Sequence, residues 1–377
     1  MLGLYVHIPF CAKKCFYCDF NSYEITRKDE KSIYIKNLIK EMEFYKEDFK
    51  ERKFSSIFLG GGTPSILNED EINIIFENIY KNYNISENAE ITIECNPGTL
   101  TKEKLITMKK VGINRLSIGL QTTDNNLLKS IGRIHNYEQF EKNYNDALDV
   151  GFKNINIDIM YSLPNQSFDE FKESLDKVIK LNPTHISCYS LILEEGTRFY
   201  DMYYNNEFEL NDDELDINIY NYTINKLKED GYNQYEISNY SKKGYECKHN
   251  ITYWKCENYL GLGAGASGYI NDYRYSNKEN LDEYNKDIEN NKKPISEFSS
   301  LTKKDEIEEA IIMMLRMNEG INIEDFNKRF NIDFEKKYKN VIDKLINKGL
   351  IDKNKNNIFF TQKGREISNS ILVEFLD

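Results

Sequence analysis

The sequence predicts an α/β fold in two parts, a partial (β/α)6 TIM-like barrel and a C-terminal winged-helix-like α+β domain. Two observations predict it. The first half of the 377-residue chain alternates six short apolar runs with helix-length segments, which is the pattern of a parallel sheet with helical crossovers. After residue 300 the pattern changes to three helical stretches, a hairpin and a final helix.

The elements of the barrel follow from local patterns. Apolar runs place its six strands at residues 3–8, 56–59, 90–94, 115–119, 154–160 and 185–190. Apolar residues at helical spacing place helices at about residues 29–45, 69–83, 102–111, 137–150 and 168–180. Six strands are fewer than the eight of a closed barrel. We therefore expect an open barrel with its chemistry at the C-terminal ends of the strands.

The rest of the chain divides into two further regions. We expect residues 1–230 to form the barrel, 231–300 to extend it and 301–377 to form the winged-helix-like domain. The middle region contains a predicted strand at 235–238 and a glycine-rich segment at 261–267. The last region contains helical stretches at 304–317, 324–330 and around 334–345, then hairpin strands at 350–352 and 358–361, then a final helix.

Composition and charge limit the function. Apolar residues form 40% of the chain and charged residues 30%, which is typical of a globular protein and excludes collagen-like, disordered and disulfide-rich classes. No apolar run approaches the roughly 18–20 residues of a membrane helix, and no export signal is visible, so we expect a cytoplasmic protein. The net charge is -12, and residues 301–377 carry 14 basic and 14 acidic side chains. We therefore expect no nucleic-acid partner.

Three of the seven cysteines, Cys11, Cys15 and Cys18, form a CxxxCxxC pattern. An odd cysteine count in a cytosolic-looking chain argues against a disulfide framework. Three thiolates on one loop favour a cubane iron–sulfur cluster in which one iron has no protein ligand. A zinc site with His7 as fourth ligand, or three structural cysteines without a metal, are the alternatives that the spacing leaves open.

Polar or glycine-rich features follow five of the predicted strands. The cysteines follow the first strand, the segment 60–65 (Gly-Gly-Gly-Thr-Pro-Ser) the second, and the segment 94–97 (Glu-Cys-Asn-Pro) the third. Gln121 follows the fourth strand, and Asp158 with the loop 163–166 ends the fifth. Because the C-terminal ends of parallel strands meet at one edge of a barrel, we expect one binding site there.

The order of these motifs, CxxxCxxC after a first strand and GGGTP after a second, resembles the radical S-adenosylmethionine (SAM) superfamily. The resemblance implies a [4Fe-4S] cluster whose open iron is chelated by the amino and carboxylate groups of SAM. One electron from the cluster then cleaves SAM to a 5′-deoxyadenosyl radical. Within the superfamily, the runs GLYVHIPFC (3–11), RLSIGLQ (115–121), DIMYSLP (158–164) and YEISNY (235–240) look like the group of oxygen-independent coproporphyrinogen III oxidase.

This resemblance implies a set of site residues, position by position. The cluster ligands are Cys11, Cys15 and Cys18. The SAM-binding residues are Tyr5, Tyr17, Gly61, Gly62, Thr63, Glu94, Gln121, Arg133 and Asp158. Tyr17 stands where the group often has Phe. No catalytic residue is assigned.

Two departures separate the chain from the decarboxylases of that group. The decarboxylases have a further cysteine where this chain has Phe20, and a long N-terminal arm where only Met1 and Leu2 precede the first strand. Both departures match a sister group of heme chaperones. The segment 249–254, His-Asn-Ile-Thr-Tyr-Trp, is an HNxxYW motif associated with heme in that group. It implies His249 as a heme ligand with aromatic residues beside it.

Three hypotheses follow. The first is a heme chaperone that binds heme and transfers it to an acceptor protein, with the cluster and SAM regulating transfer or supporting a homodimer. Peripheral membrane association fits the same hypothesis. The second is an enzyme, an oxygen-independent coproporphyrinogen III oxidase that decarboxylates propionates to vinyls. The third is a metal-sensing winged-helix regulator, which the neutral C-terminal region disfavours. Whether the chain is an enzyme stays open at this point.

Overall fold

The computed structural model describes residues 1–376. Its strands are β1 (Leu2–Ile8), β2 (Phe10–Cys11), β3 (Tyr23–Glu24), β4 (Lys53–Gly61), β5 (Asn84–Cys95), β6 (Arg115–Gln121), β7 (Asn154–Tyr161), β8 (His185–Ser190), β9 (Asn233–Gln234), β10 (Asn239–Ser241), β11 (Asn258–Leu262), β12 (Ser267–Ile270), β13 (Tyr273–Asn277), β14 (Ile295–Ser300), β15 (Ile321–Asn322), β16 (Ile351–Lys353) and β17 (Asn357–Phe360).

The helices lie mainly between the strands of the barrel and in the C-terminal region. They are α1 (Glu30–Tyr45), α2 (Glu69–Asn82), α3 (Lys102–Lys110), α4 (Asn125–Ser130), α5 (Tyr137–Val150), α6 (Phe168–Leu181), α7 (Arg198–Tyr204), α8 (Asp213–Glu229), α9 (Lys248–Trp254), α10 (Leu281–Glu289), α11 (Lys303–Leu315), α12 (Ile323–Phe330), α13 (Phe334–Lys337), α14 (Lys339–Asn347), α15 (Gln362–Glu366) and α16 (Ser368–Leu372).

A twelve-stranded sheet forms the centre of the molecule, in the order β14-β13-β12-β11-β1-β4-β5-β6-β7-β8-β10-β9. Strands β1, β4, β5, β6, β7 and β8 are parallel neighbours and correspond to the six predicted strands. Within residues 1–376, β1 and β8 do not pair with each other, so the sheet stays open. The predicted α/β fold with a parallel sheet is confirmed.

The alternation of side chains along the strands decides what faces the inside of the barrel. In β1, Leu4 and Val6 are fully buried in the main hydrophobic core, whereas the intervening Tyr5 and His7 line an internal cavity. Helices cover the other face of the sheet, and α2, α5 and α6 each begin with a capping box. Parallel strands buried on both faces are expected from this arrangement.

The predicted strand at residues 235–238 is wrong. These residues form the turn between β9 and β10, in which Glu236 makes an isolated bridge to Met317. Gln234 pairs with Tyr240 in an antiparallel ladder, so residues 235–238 must reverse the direction of the chain. Glu236 is the buried side chain of this turn, and the Tyr235 hydroxyl lies 2.9 Å from His185 Nε2. Strand β11, in a region expected only to be mixed, adds to the parallel sheet beside β1.

The C-terminal region has its own small sheet and core. Strands β15, β17 and β16 form an antiparallel sheet in that order, and β16 with β17 is the predicted hairpin. The predicted third helix divides into α13 and α14 at Tyr338, and the predicted final helix divides into α15 and α16. Cys256 from the preceding region is buried in this core. Among residues 1–376, no helix is both long and apolar enough to cross a membrane.

Candidate functional site

A cavity of about 550 Å3 lies at the C-terminal ends of the parallel strands and extends into the barrel. It brings together residues from β1, β4, β5, β6, β7 and β8 and from the loops that follow them. Every residue that the sequence analysis assigned to the cluster, to SAM or to heme lines this one cavity: Cys11, Cys15, Cys18, Tyr5, Tyr17, Gly61, Gly62, Thr63, Glu94, Gln121, Arg133, Asp158 and His249.

The three cysteines lie on the loop that follows β1, and all three are free thiols. Strands β2 and β3 pair with each other and close the base of this loop. Cys11 Sγ lies 3.4 Å from Thr63 Oγ1, and Arg133 Nη1 donates a hydrogen bond to Cys15 Sγ at 3.6 Å. A hydroxyl and a guanidinium stabilise thiolates, so the donor set fits an iron–sulfur cluster.

His7 supports the loop but does not complete a metal site. Its Nδ1 lies 3.1 Å from the Tyr5 hydroxyl, and its Nε2 lies 2.8 Å from the Asn21 carbonyl oxygen. Both ring nitrogens are therefore engaged within the protein, which favours a cluster over a zinc site that uses His7. Across residues 1–376, no three His, Cys, Asp or Glu side chains converge on a point where a single metal ion could bind.

Gly61, the last residue of β4, and Gly62, which follows it, expose their backbone to the cavity. Gly61 has a φ of +110°, and a Cβ at this position would lie 2.4 Å from the His7 ring. A Cβ at Gly62 would lie 2.8 Å from the Phe10 carbonyl oxygen. Neither position has room for a side chain, so the backbone itself forms the cavity wall and can approach a ligand closely.

Two half-buried carboxylates, Glu94 and Asp158, face the cavity. Burial, and secondarily the charge of Asp158, raises the pKa of Glu94 to about 7. Burial also raises the pKa of Asp158, although hydrogen bonds from Ser187 and Asn156 oppose this rise. Glu94 Oε2 accepts a hydrogen bond from the Gly61 amide at 3.0 Å. Carboxylates in this setting are acceptors suited to an amino group and to ribose hydroxyls.

Arg133 is a cation that lines the cavity beside the cysteine loop. It donates to Asn96 Oδ1 at 2.8 Å and to the Gly119 carbonyl oxygen, while its Nε is buried without a hydrogen-bond partner among the described residues. Gln121 stands beside it with a φ of +75°, and its Oε1 accepts from the Tyr189 hydroxyl at 3.0 Å. An unsatisfied guanidinium nitrogen beside the cysteine loop suits a ligand carboxylate, so the cavity also fits SAM.

The HNxxYW segment belongs to helix α9, which contacts β1 and β4 near their N-terminal ends, at Gly3 and Ser56. We call this end of the cavity the floor. His249 is fully buried, its Nδ1 lies 2.9 Å from Ser56 Oγ, and its Nε2 lies 2.7 Å from the Tyr253 hydroxyl. Its ring stacks on Phe58 with a centroid distance of 5.1 Å. Burial, and secondarily the charge of Arg115, lowers the pKa of His249 to about 3. The imidazole is therefore neutral, with both nitrogens engaged.

Several residues of the floor are not found by the sequence analysis. Arg115 is almost fully buried and lines the cavity, and its Nε has no hydrogen-bond partner within residues 1–376. Glu90 accepts hydrogen bonds from the backbone amides of Lys248 and His249 and so caps α9. The one sequence signal for Arg115 and Glu90 is that each is a charged residue at the start of a predicted apolar strand.

Cys247, His185 and His135 are buried outside the cysteine loop. Cys247 is buried at the start of α9, with its Sγ 3.5 Å from Glu90 Oε1, and burial raises the pKa of this thiol to about 12. His185 Nδ1 lies 2.6 Å from Asn156 Oδ1. Burial lowers the pKa of His135 to about 3, with Arg133 as the second cause.

Comparisons with protein-family models match two parts of the chain. The model of the radical SAM superfamily matches residues 5–178, which include the cysteine loop and the nine SAM-binding candidates. The model of the HemN C-terminal domain matches residues 301–367. The first match covers the parallel strands up to β7, and the second covers most of the region with the small antiparallel sheet.

Curated relatives match most or all of the chain. The heme chaperone HemW of Lactococcus lactis subsp. lactis (strain IL1403) is 37% identical over 372 residues, 99% of this chain and 96% of the relative. The heme chaperone HemW of Bacillus subtilis (strain 168) is 35% identical over 379 residues, 100% of this chain and 99% of the relative. That of Escherichia coli (strain K12) is 36% identical over 269 residues, 71% of this chain and 70% of the relative.

A solved structure has the same fold. It is described as the coproporphyrinogen III oxidase HemN from Escherichia coli, a radical SAM enzyme. It superposes with a TM-score of 0.87 at 25% sequence identity, over 99% of this chain and 89% of that chain. The similarity therefore covers both the barrel and the C-terminal region.

Proposed function

The chain belongs to the heme chaperone HemW family, and from this premise we propose that it binds heme and transfers it to an acceptor protein. The observation that carries the proposal is the full-length similarity to relatives that are themselves named heme chaperones. Two features of the chain support it. Phe20 stands where the decarboxylases have a fourth cysteine, and α9 carries the HNxxYW motif.

Membership of the radical SAM superfamily implies a [4Fe-4S] cluster and SAM. We assign the cluster to the three cysteines of the loop and SAM to the nine cavity residues named with them. When bound, the cluster supplies the electron that cleaves SAM. In this assignment Arg133 meets the carboxylate of SAM, and Glu94 and Asp158 accept hydrogen bonds from its amino group or ribose hydroxyls. Tyr189 holds Gln121 in place through the hydrogen bond between their side chains.

The same proposal includes the division of the chain into domains, its oligomeric state, its membrane association and its location. We divide the chain into a barrel (1–230), an extension that carries the HNxxYW motif (231–300) and a winged-helix-like domain (301–377). The match of the HemN C-terminal domain model to residues 301–367 supports the last division. A homodimer, peripheral membrane association and a cytoplasmic location stay predictions.

His249 is the predicted axial ligand of heme, and its surroundings set a condition for that role. Each ring nitrogen is hydrogen-bonded, one to Ser56 and one to Tyr253. An axial ligand must present a free nitrogen to the iron, so one of these bonds has to break and α9 has to move. We therefore propose that imidazole ligation follows an opening of α9 and is not the first contact with heme.

The proposal is tested with the reconstituted full-length protein under anaerobic conditions. Ferric heme is titrated and the Soret band followed, and the heme-loaded protein is then mixed with apomyoglobin as a general acceptor. We expect saturation at one heme per chain and transfer faster than from a heme–albumin control. Failure to bind heme stoichiometrically, or retention of bound heme in the presence of excess acceptor, would contradict the proposal. The variant His249→Ala should lose any spectrum of imidazole-ligated heme and keep the cluster.

A second function is favoured by the similarity to the solved oxidase structure. In that case the chain would decarboxylate two propionates of coproporphyrinogen III to vinyl groups in a SAM-dependent reaction. Incubation of the reconstituted protein with coproporphyrinogen III, SAM and a reductant distinguishes the two functions. We expect no vinyl product above the level of a Cys15→Ala control. Turnover that depends on SAM would replace the chaperone proposal by the oxidase.

A further inference from the structure

The residues of β6 alternate between the hydrophobic core and the cavity. Those that line the cavity are Arg115, Ser117, Gly119 and Gln121, and the residues between them are buried in the core. Gln121 stands at the C-terminal end of the strand and Arg115 at the N-terminal end, roughly 20 Å away. Arg115 is therefore the residue that β6 contributes to the floor, where its charge also acts on His249.

The guanidinium of Arg115 has no acceptor within the part of the chain that the structure describes. The residue is only 2% exposed, and its Nε is buried without a hydrogen-bond partner. Within residues 1–376, its side chain forms neither a hydrogen bond nor an ion pair. A buried charge without an acceptor costs free energy, because its N–H groups have given up their hydrogen bonds to water. The donors of Arg115 are therefore open to a ligand in the cavity.

Two of the groups that act on the charge of Arg115 are neutral. Burial raises the pKa of the Tyr235 phenol well above its usual value, and it raises the pKa of the Cys247 thiol to about 12. The Tyr235 hydroxyl is held by the Cys247 backbone amide at 3.2 Å and lies 2.9 Å from His185 Nε2. Neither the phenol nor the thiol neutralises the guanidinium.

Two acidic residues also act on the charge of Arg115, but they have other partners. Glu90 accepts hydrogen bonds from the first two backbone amides of α9, at 3.2 and 3.1 Å. Asp158 accepts from Asn156 Nδ2 at 2.7 Å and from Ser117 Oγ at 3.4 Å. A ligand at Arg115 therefore meets negative charge nearby. One further negative charge is tolerated better than two, because repulsion grows with the charge of the ligand.

Two of the residues assigned to SAM lie higher on the neighbouring strands. Glu94 pairs with Ser117 and Asp158 pairs with Gly119, which are one and two cavity-facing positions above Arg115. These steps are roughly 7 and 13 Å along β6. A molecule held by Arg115 therefore lies below these two carboxylates, and it has to be short where SAM occupies the cavity as well.

We propose that the floor binds the carboxylate of a short organic acid, with the Arg115 guanidinium as its donor. The planar guanidinium matches a carboxylate through two parallel N–H···O bonds. The acid is a second ligand of the cavity, in addition to SAM. It is defined by a single negative charge and a short carbon chain, and the inference does not depend on heme as the cargo.

Propionate is the probe that tests this inference. The reconstituted full-length protein is titrated, without SAM, with propionate labelled with carbon-13 at the carboxyl group. The width of the carboxylate NMR line measures binding, because exchange with a slowly tumbling protein broadens it. Inorganic phosphate, followed by phosphorus NMR at equal ionic strength, is the doubly charged comparison. We expect saturable binding of propionate in the millimolar range and binding of phosphate weaker by about tenfold or more.

The variants compare two arginines. Arg115→Met removes the charge and keeps a long apolar side chain. Arg316→Met is the matched control, because Arg316 also has a buried Nε without a partner among residues 1–376 but lies at the end of α11, outside the cavity. We expect Arg115→Met to weaken propionate binding by about tenfold or more, and Arg316→Met to bind as the wild type does. Arg115→Lys keeps the charge but lacks the planar fork, so it should bind about threefold more weakly.

Each outcome decides the inference. It is overturned by a lack of saturable binding in the wild type, by equal binding in the wild type and Arg115→Met, or by phosphate binding as tight as that of propionate. Loss of binding in Arg115→Met with unchanged iron and sulfide content supports it. If Arg115→Met loses the cluster, weaker binding in a folded Arg115→Lys supports the inference and unchanged binding overturns it. The titration contains no heme, so its failure leaves the chaperone function standing, and a failed heme titration leaves the organic-acid site standing.

Discussion

The cysteine end and the floor belong to the same cavity, but they differ in how far their candidate ligands are engaged within the protein. At the floor, His249 is fully buried and both of its nitrogens are hydrogen-bonded. At the cysteine end, Cys15 and Cys18 are partly exposed, and Arg133 Nε has no hydrogen-bond partner within residues 1–376. The cysteine end can therefore accept a ligand directly, whereas the floor must first lose a hydrogen bond.

This difference has an energetic meaning. A buried, hydrogen-bonded imidazole contributes to the stability of the fold, so its use as a ligand competes with folding interactions. A partly exposed thiol contributes less to stability, so its use as a cluster ligand leaves the fold unchanged. Variants at the two ends of the cavity should therefore separate the loss of a ligand from the loss of stability.

The largest effect is expected from removal of a cluster ligand. Cys15→Ala should abolish the brown visible absorption of the reconstituted protein and its bound sulfide, because Cys15 is one of only three protein ligands. Heme binding should persist with an affinity within about threefold of the wild type, since no residue of the HNxxYW segment is removed. Full iron and sulfide content in the variant would contradict the cluster assignment. Loss of heme binding together with the cluster would show that heme binding depends on the cysteine loop.

The next effect sharpens the contrast between a buried and an exposed ligand. His249→Ala should lower the free energy of unfolding of the barrel by about 3 kcal/mol, because it removes a buried ring and leaves the partners Ser56 and Tyr253 unsatisfied. Urea denaturation followed by circular dichroism measures this loss. An unchanged free energy of unfolding would mean that the two hydrogen bonds of His249 do not stabilise the fold.

Much of the cofactor site could be predicted from sequence because its signals are local. These short-range patterns are the cysteine spacing, the glycines at 60–62 and the polar residues at strand ends. They come together because the C-terminal ends of parallel strands lie at one face of the barrel. Residues on the strands themselves were harder to find. Asn156 and Tyr189 reach the cavity only through the register of β7 and β8, which a single sequence does not contain.

The contacts of the floor could not be predicted for the same reason. Ser56 and His249 are 193 positions apart and meet because β11 adds beside β1 and brings α9 under the barrel. The turn at 235–238 shows the opposite limit, because a local apolar pattern there predicted a strand that the long-range contacts replace.

A third prediction concerns pH and the floor alone. His185 is fully buried, and burial, with Arg115 as the second cause, lowers its pKa well below the usual value. Because the folded pKa is depressed, only the unfolded chain takes up a proton as the pH falls below about 6.5. Stability is therefore complete above that pH and falls below it, by at most about 1.4 kcal/mol per pH unit for this residue.

His185→Asn removes this proton uptake and tests the prediction. Unfolding free energies measured between about pH 5 and pH 7.5 should fall less steeply for the variant than for the wild type. The comparison uses slopes, so a uniform loss of stability in the variant does not affect it. Parallel profiles would mean that His185 is not held neutral in the folded state.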